Sequence, residues 1–316
     1  MRVSTAQIYD QGTFGLQSNQ QALLKIQNQL STGRRVVTPE DDPVAASQAL
    51  VVQQSKDVNA QYMRNQDTAK SRLSALDSTL GGVSEQLQSI LERTIQAGDG
   101  SLGQEDRQII ATELKGRMDS LISLANTQDG EGQYVFSGFQ TQSAPFVVAG
   151  NSGPFSLANP YVSYVGDEGQ RQLQVDASRQ MAISESGTEV FMRVRDQNGN
   201  LTGRSMFDSL QNLIDNLNTP VGPSSQTDYE QAFGDLKASL ENVTRVRAAA
   251  GTRLQALDGM SNAAQDASLQ YDTTLSNLQD VDYAKGISDL TRRQMQLQAA
   301  QASFSQISRL SLFNYI

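Results

Sequence analysis

The sequence predicts a mainly α protein with a β-rich module inserted between helical flanks, its helices forming an elongated rod. Three observations carry that prediction. Leu73, Leu76, Leu80, Val83, Leu87 and Ile90 recur at alternating spacings of 3 and 4, a heptad seam that holds one apolar stripe against a partner helix. Ten of the 24 glycines and three of the seven prolines fall between Gly130 and Gly203, where the apolar period changes to two. Hydrophobic residues make up 38% of the chain and aromatics 6%, with no Trp, which is lean for one large core and suits apolar surface spread along long helices. At 316 residues the chain has room for two or more structural units.

Each element has a local reason. The N-terminal stretch carries a narrow stripe of Leu16, Leu23, Ile26 and Leu30. The long seam helix starts at Asp42-Pro43, because an Asp side chain accepts from free N–H groups and Pro sits where its missing N–H costs nothing. It ends near Ala97-Gly98. A second helix, about Gln104 to Asn126, places Ile110, Leu114, Met118, Leu121 and Ala125 on one face. From Tyr134 to about Arg195 strands are expected: around Leu173 and Val175, at Met181 and Ile183, and at Val190, Met192 and Val194, followed by an Asn198-Gly199 turn. Helices resume at Phe207 with Leu210, Leu213, Ile214 and Leu217. They resume again behind Thr227-x-x-Glu230, which reads as a capping box, with Tyr229, Phe233, Leu236, Leu240 and Val243. After the small residues Ala248 to Gly251 the helical texture runs on through a last stripe of Ile287, Leu290, Leu297, Ala300, Phe304 and Ile307. A lone helix cannot bury so narrow a stripe, so both terminal segments are expected to be poorly ordered until they meet each other and their neighbours.

Composition excludes most chemistry. With no His and no Cys there is no imidazole base, no thiolate nucleophile and no ordinary zinc ligand set, so no enzyme and no cofactor is expected. The first twenty residues lack the apolar run of a secretory signal, and no stretch approaches ~20 apolar residues; a soluble chain without membrane insertion is expected. The net charge of −9 is uneven. Residues 1–35 and 283–316 each carry +3, which leaves −15 on the body between them. The basic residues are sparse and interleaved with Gln, without stacking aromatics, so nucleic acid is not an expected partner.

Several local features invite a functional reading and have a plainer one. Asp41 and Asp42 beside Glu40 could bind a metal, but Asp42 already serves as a cap and no further acid is tied to the pair by spacing. Asp196 to Asn200 faintly resembles a calcium loop, yet its glycine comes early and the twelfth position is Phe207; a hairpin turn fits better. Gly81-Gly82 is a hinge, a weak spot or a close-packing site. Arg34-Arg35 and Arg292-Arg293 either face an acidic partner or solvate a surface. The 38 glutamines are dispersed over helical faces rather than clustered, which suits packed polar interfaces between subunits.

Three segments resemble the flagellin superfamily and, within it, the FlgL-type hook-filament junction proteins. Leu30 to Ala46, LSTGRRVVTPEDDPVAA, is similar to the loop and cap shared by flagellins and junction proteins, and its DDPVAA ending leans toward the latter. Gly132 to Phe146, GQYVFSGFQTQSAPF, resembles the family's lead into the β module, and Leu310 to Ile316, LSLFNYI, the junction-type terminus. With Phe207 to Leu217 and Arg247 to Leu257, the resemblance covers the chain except parts of the β module, about 144–195.

The resemblance implies terminal helices paired as a coiled coil (1–35 with 283–316), a helical rod (36–133 with 204–282) and an outer β module (134–203). It implies Leu16, Leu23, Ile26, Leu30, Ile287, Leu290, Leu297, Phe304, Ile307, Leu310 and Phe313 as the assembly interface. Asp42 and Pro43 then form the helix cap, and Leu73, Leu76, Leu80, Val83, Leu87 and Ile90 the rod core. It further implies a secreted, extracellular part of the bacterial flagellum, exported by the type III pathway. Its partners would be the first hook-associated protein, flagellin, identical copies in a ring and, through the C-terminal region, a FlgN-type export chaperone. Filament flagellin is the alternative, marked by long homopolymer growth.

Overall fold

The computed structural model describes residues 5–99, 101–149, 160–195, 199–220 and 225–313, with side chains left out at 5, 6, 8 and 307–313. The order is α1 (Thr5–Thr32), α2 (Pro43–Ala97), α3 (Gln104–Ala125), β1 (Phe146–Val148), β2 (Val162–Tyr164), β3 (Gln172–Asp176), β4 (Arg179–Ala182), α4 (Met206–Asn218), α5 (Ser225–Gln279) and α6 (Tyr283–Phe313). The chain is thus mainly α with an inserted β-rich module. It divides into unit 1, residues 1–60 with 265–316, and unit 2, residues 61–264.

Unit 2 has a deep core. Every seam residue, Leu73, Leu76, Leu80, Val83, Leu87 and Ile90, is fully buried, and so are Leu114, Met118 and Leu121 of α3, Leu210, Leu213 and Leu217 of α4, and Leu236 and Val243 of α5. The β strands form two separate antiparallel ribbons, β1 with β2 and β3 with β4. Leu173 lies opposite Met181, with an irregularity between Gln174 and Asp176. Asn126, just past α3, fixes β1 like a strand neighbour: its Nδ2 donates to Phe146 O at 2.9 Å and its Oδ1 accepts from Phe146 N at 3.0 Å. Phe146 then joins Phe191 and Phe207 with ring centroids 5.1 and 5.5 Å away. Gly138 has φ +71°, and a Cβ there would run into the Asp167 carboxylate. That carboxylate receives Phe139 N and Gly169 N, so glycine is what lets this loop close on itself.

Two sequence expectations are corrected here. Val190, Met192 and Val194 do not form a strand; Thr188–Met192 is a π-helical turn. Val190 and Phe191 are both buried although adjacent, and the carbonyls of Glu189 and Val190 accept from Asn242 Nδ2 at 2.7 and 3.1 Å instead of from a strand. Thr227 is not a cap, since α5 already begins at Ser225, and Glu230 accepts from Gln226 Nε2 inside the helix. The capping box belongs to α4, where Asp208 N donates to Ser205 Oγ and Ser205 N donates to Asp208 Oδ2, both at 3.1 Å. The small residues 248–251 lie within α5. Gly199 has φ +82° and Thr202 N donates to Val194 O at 3.0 Å, while Asn198 of the expected turn lies outside the described residues. Gly81 and Gly82 are helical, with Arg247 and Leu124 at ordinary contact distance of 3.6 Å from where a Cβ would stand.

Candidate assembly interface

Unit 1 is organised around the packing of α1 on α6. The Tyr9 and Phe304 rings meet with centroids 5.0 Å apart. Phe304 lies so close over Gly12 that a Cβ there would stand 2.6 Å from its ring, and Leu30 covers Gly286 in the same way at 2.7 Å. These glycines let two thin helices approach closely, which is how a pair with few large side chains gains contact area.

Beyond α1 the chain turns and is tied to the end of α5. Gly33, at φ +70°, accepts from Val281 N at 2.9 Å, and Arg35 N donates to Gln279 O at 2.6 Å. The Arg35 guanidinium donates to Leu278 O at 2.8 Å and pairs with Asp42 at 3.0 Å. Asp42 in turn accepts from Ala45 N at 3.0 Å, the N-terminal cap of α2, and this N–H followed by Arg35 lowers its pKa. Its neighbour Asp41 pairs with Lys25 of α1 at 2.6 Å and accepts from the N–H groups of Val37 and Thr38. Lys25, then the Thr38 N–H, hold the Asp41 carboxyl down at about 2. One short acidic stretch therefore caps α2 and latches the loop to α1.

The stripe read from the sequence is placed mostly on the seam. Leu16, Leu23, Ile26, Leu30, Leu290, Leu297 and Phe304 are half-buried, while Ile287 is 56% exposed. The side chains of Ile307, Leu310 and Phe313 lie outside the described residues. Arg34 is exposed, Arg292 pairs with Asp289, and Arg293 donates to Gln296. Among the described residues, twelve of the large apolar side chains that remain exposed are in unit 1, including Phe14, Leu24, Val44, Leu50, Val51, Val58, Leu269 and Met295. Sequence reasoning passed over these because they stand off the dominant stripe; the seven-residue recurrence of Val44, Val51 and Val58 was the available signal. No helix among the described residues is long and apolar enough to cross a membrane, so this surface is not a bilayer span. Among the described residues no three acidic side chains come together to hold a metal.

The terminal helices pair with each other around an inserted middle. The bacterial flagellin N-terminal helical region matches residues 3–141 and the C-terminal helical region matches residues 233–316. "Flagellar hook-associated protein 3" of Escherichia coli (strain K12) is 36% identical over 99% of both chains, and its Salmonella typhimurium counterpart is 36% identical over the same shares. A solved flagellar hook-associated protein from Vibrio parahaemolyticus superimposes with a TM-score of 0.66 at 26% identity, covering 76% of this chain and 100% of its own. Flagellins match at lower identity. The chain belongs to the flagellin superfamily, in the family of flagellar hook-associated protein 3, and is a structural protein rather than an enzyme.

Proposed function

We propose that this protein forms the junction between hook and filament of a bacterial flagellum, outside the cell, as a ring of identical copies seated on the first hook-associated protein and capped by flagellin. The observation that carries the reading is the twelve large exposed apolar side chains of unit 1, beside three buried residues among its described ones. Apolar surface in that quantity is stabilised once neighbouring copies cover it. The similarity to flagellar hook-associated protein 3 supports this setting.

On this reading residues 1–35 with 283–316 are the inner assembly region, 36–133 with 204–282 the rod, and 134–203 the outer module. The stripe from Leu16 to Leu30 and from Ile287 to Phe313 forms the inter-subunit seam. The terminal helices order fully only at the growing end, so the entropy of ordering is met by contacts that exist only there. Export runs through the flagellar type III pathway. A FlgN-type chaperone covers the C-terminal stripe, Ile307, Leu310 and Phe313 included, as an amphipathic helix laid in a groove. Electron microscopy of cells lacking the protein tests the function: bare hooks with flagellin lost to the medium are expected, and filaments of normal number and length overturn it.

A further inference from the structure

The exposed apolar residues of unit 1 that lie off the α1 and α6 seam include two stripes of complementary character. On α2, Val44, Val51 and Val58 recur every seven residues and are 66%, 64% and 42% exposed, with exposed Gln48 and Gln54 between them. A seven-residue apolar period on one helix face selects a second helix as its cover. Intervening amides can pair across such a contact without desolvating a charge. The other face of α2 is already occupied, since Ala45 and Ala49 are buried within the unit. Exposed acids flank the stripe: Glu40 before it, and Asp57, which accepts from the neutral Gln53.

The matching face is on α6. Ile287 and Met295 are 56% and 59% exposed, with exposed Lys285 near them, while Arg292 pairs with Asp289 of its own helix. The side of α6 that meets α1 is marked by Gly286 under Leu30 and Phe304 against Tyr9, and neither Ile287 nor Met295 belongs to it. The exposed Phe14 and Leu24 of α1 fit the acidic flanks less well, because the neighbouring Lys25 is engaged by Asp41.

We propose that the Val44, Val51 and Val58 stripe of one copy receives the Ile287 and Met295 face of α6 from a second copy, with Lys285 set toward Glu40 and Asp57. The proposal rests on the assembly reading above and names the partner surface. Because two different patches meet, the contact is heterologous. It repeats around a ring or along a helix instead of closing a dimer.

The absence of native cysteine makes the test direct. Full-length Val51→Cys and Met295→Cys chains are co-produced in cells lacking the native chain, and sheared flagella are treated with a short thiol cross-linker. The mixed product is expected at about tenfold the yield from Val51→Cys with Val147→Cys, a control pair placed outside the contact. Val51→Cys linked chiefly to itself, or a mixed yield equal to the control, overturns this contact and leaves the junction reading intact. Charge reversal reads the same contact without thiols. Asp57→Lys is expected to lower incorporation into flagella about fivefold, and Lys285→Glu in the same chain to restore it; failure of the restoration also overturns the contact. If the wild-type chain itself is missing from sheared flagella, it is the junction reading that falls.

Discussion

Units 1 and 2 draw on the same two long helices, α2 and α5, yet they bury apolar surface to opposite extents. Among the described residues unit 2 holds thirty-seven buried apolar ones, and unit 1 holds Val36, Ala45 and Ala49. Both contain periodic apolar stripes, so the stripe alone does not make a core. What differs is the number of covering layers. The α2 seam in unit 2 shares one buried cluster with residues of α3, α4, α5 and the aromatic group, whereas α1 and α6 have chiefly each other. A helix pair leaves much of each helix in water, and its stability is correspondingly local. The lesson is that unit 2 closes a core of its own, while unit 1 leaves much of its apolar surface open.

The comparison breaks most readily at Leu80. Leu80→Asp removes a fully buried side chain and leaves a carboxylate without a partner, with an expected loss of about 4 kcal/mol or more in a thermal or denaturant melt. A melt equal to wild type would show that unit 2 does not carry the stability.

The same glycine replacement made in both units sharpens the contrast. A Cβ at Gly187 would stand 2.6 Å from the Phe146 and Tyr164 rings and 3.0 Å from the Phe136 carbonyl, all held in the core, so Gly187→Ala is expected to lower stability by about 1–3 kcal/mol. Gly12→Ala meets only the Phe304 ring at 2.6 Å on a thin seam. It is expected to speed amide exchange in α1 and α6 while the main melt stays where it was. A joint fall in the main transition would mean that the units unfold together.

A third outcome concerns pH. The folded Asp41 carboxyl titrates at about 2, below its ordinary value of 3.8, so the latch contributes stability that is fully present above about 4 and lost as pH falls toward 2. Amide exchange at Val37 and Thr38 should accelerate across that window with little change in the unit 2 amides. Asp41→Asn should remove the dependence, and an unaltered pH profile in that variant would place the effect on another group.

The smallest effect on stability is expected at Leu24. Because it is 58% exposed, Leu24→Asp should shift the melt by no more than about 0.5 kcal/mol and yet reduce incorporation into flagella. Normal incorporation would remove Leu24 from the assembly surface.

Sequence by itself determined the helical flanks, the inserted β-rich stretch and the run of α2 from Pro43 to Ala97, because capping chemistry and heptad spacing act within a few turns of the chain. It also marked Gly130 to Gly203 as irregular, since glycine and proline act on their own backbone angles. Other features depended on partners distant in the chain. The alternation at Val190 to Val194 became a turn because Asn242, some fifty residues on, takes up its carbonyls. Thr227 lost its capping role because α5 begins earlier than its pattern suggests, while the capping box at Ser205 and Asp208 was not read from the sequence. The division at residues 60 and 264 has no mark in composition, because it falls inside helices that run through it. Whether a given apolar stripe becomes core or interface was decided by tertiary structure alone: burial depends on how many elements converge on a helix face, and that number is a property of packing, not of periodicity.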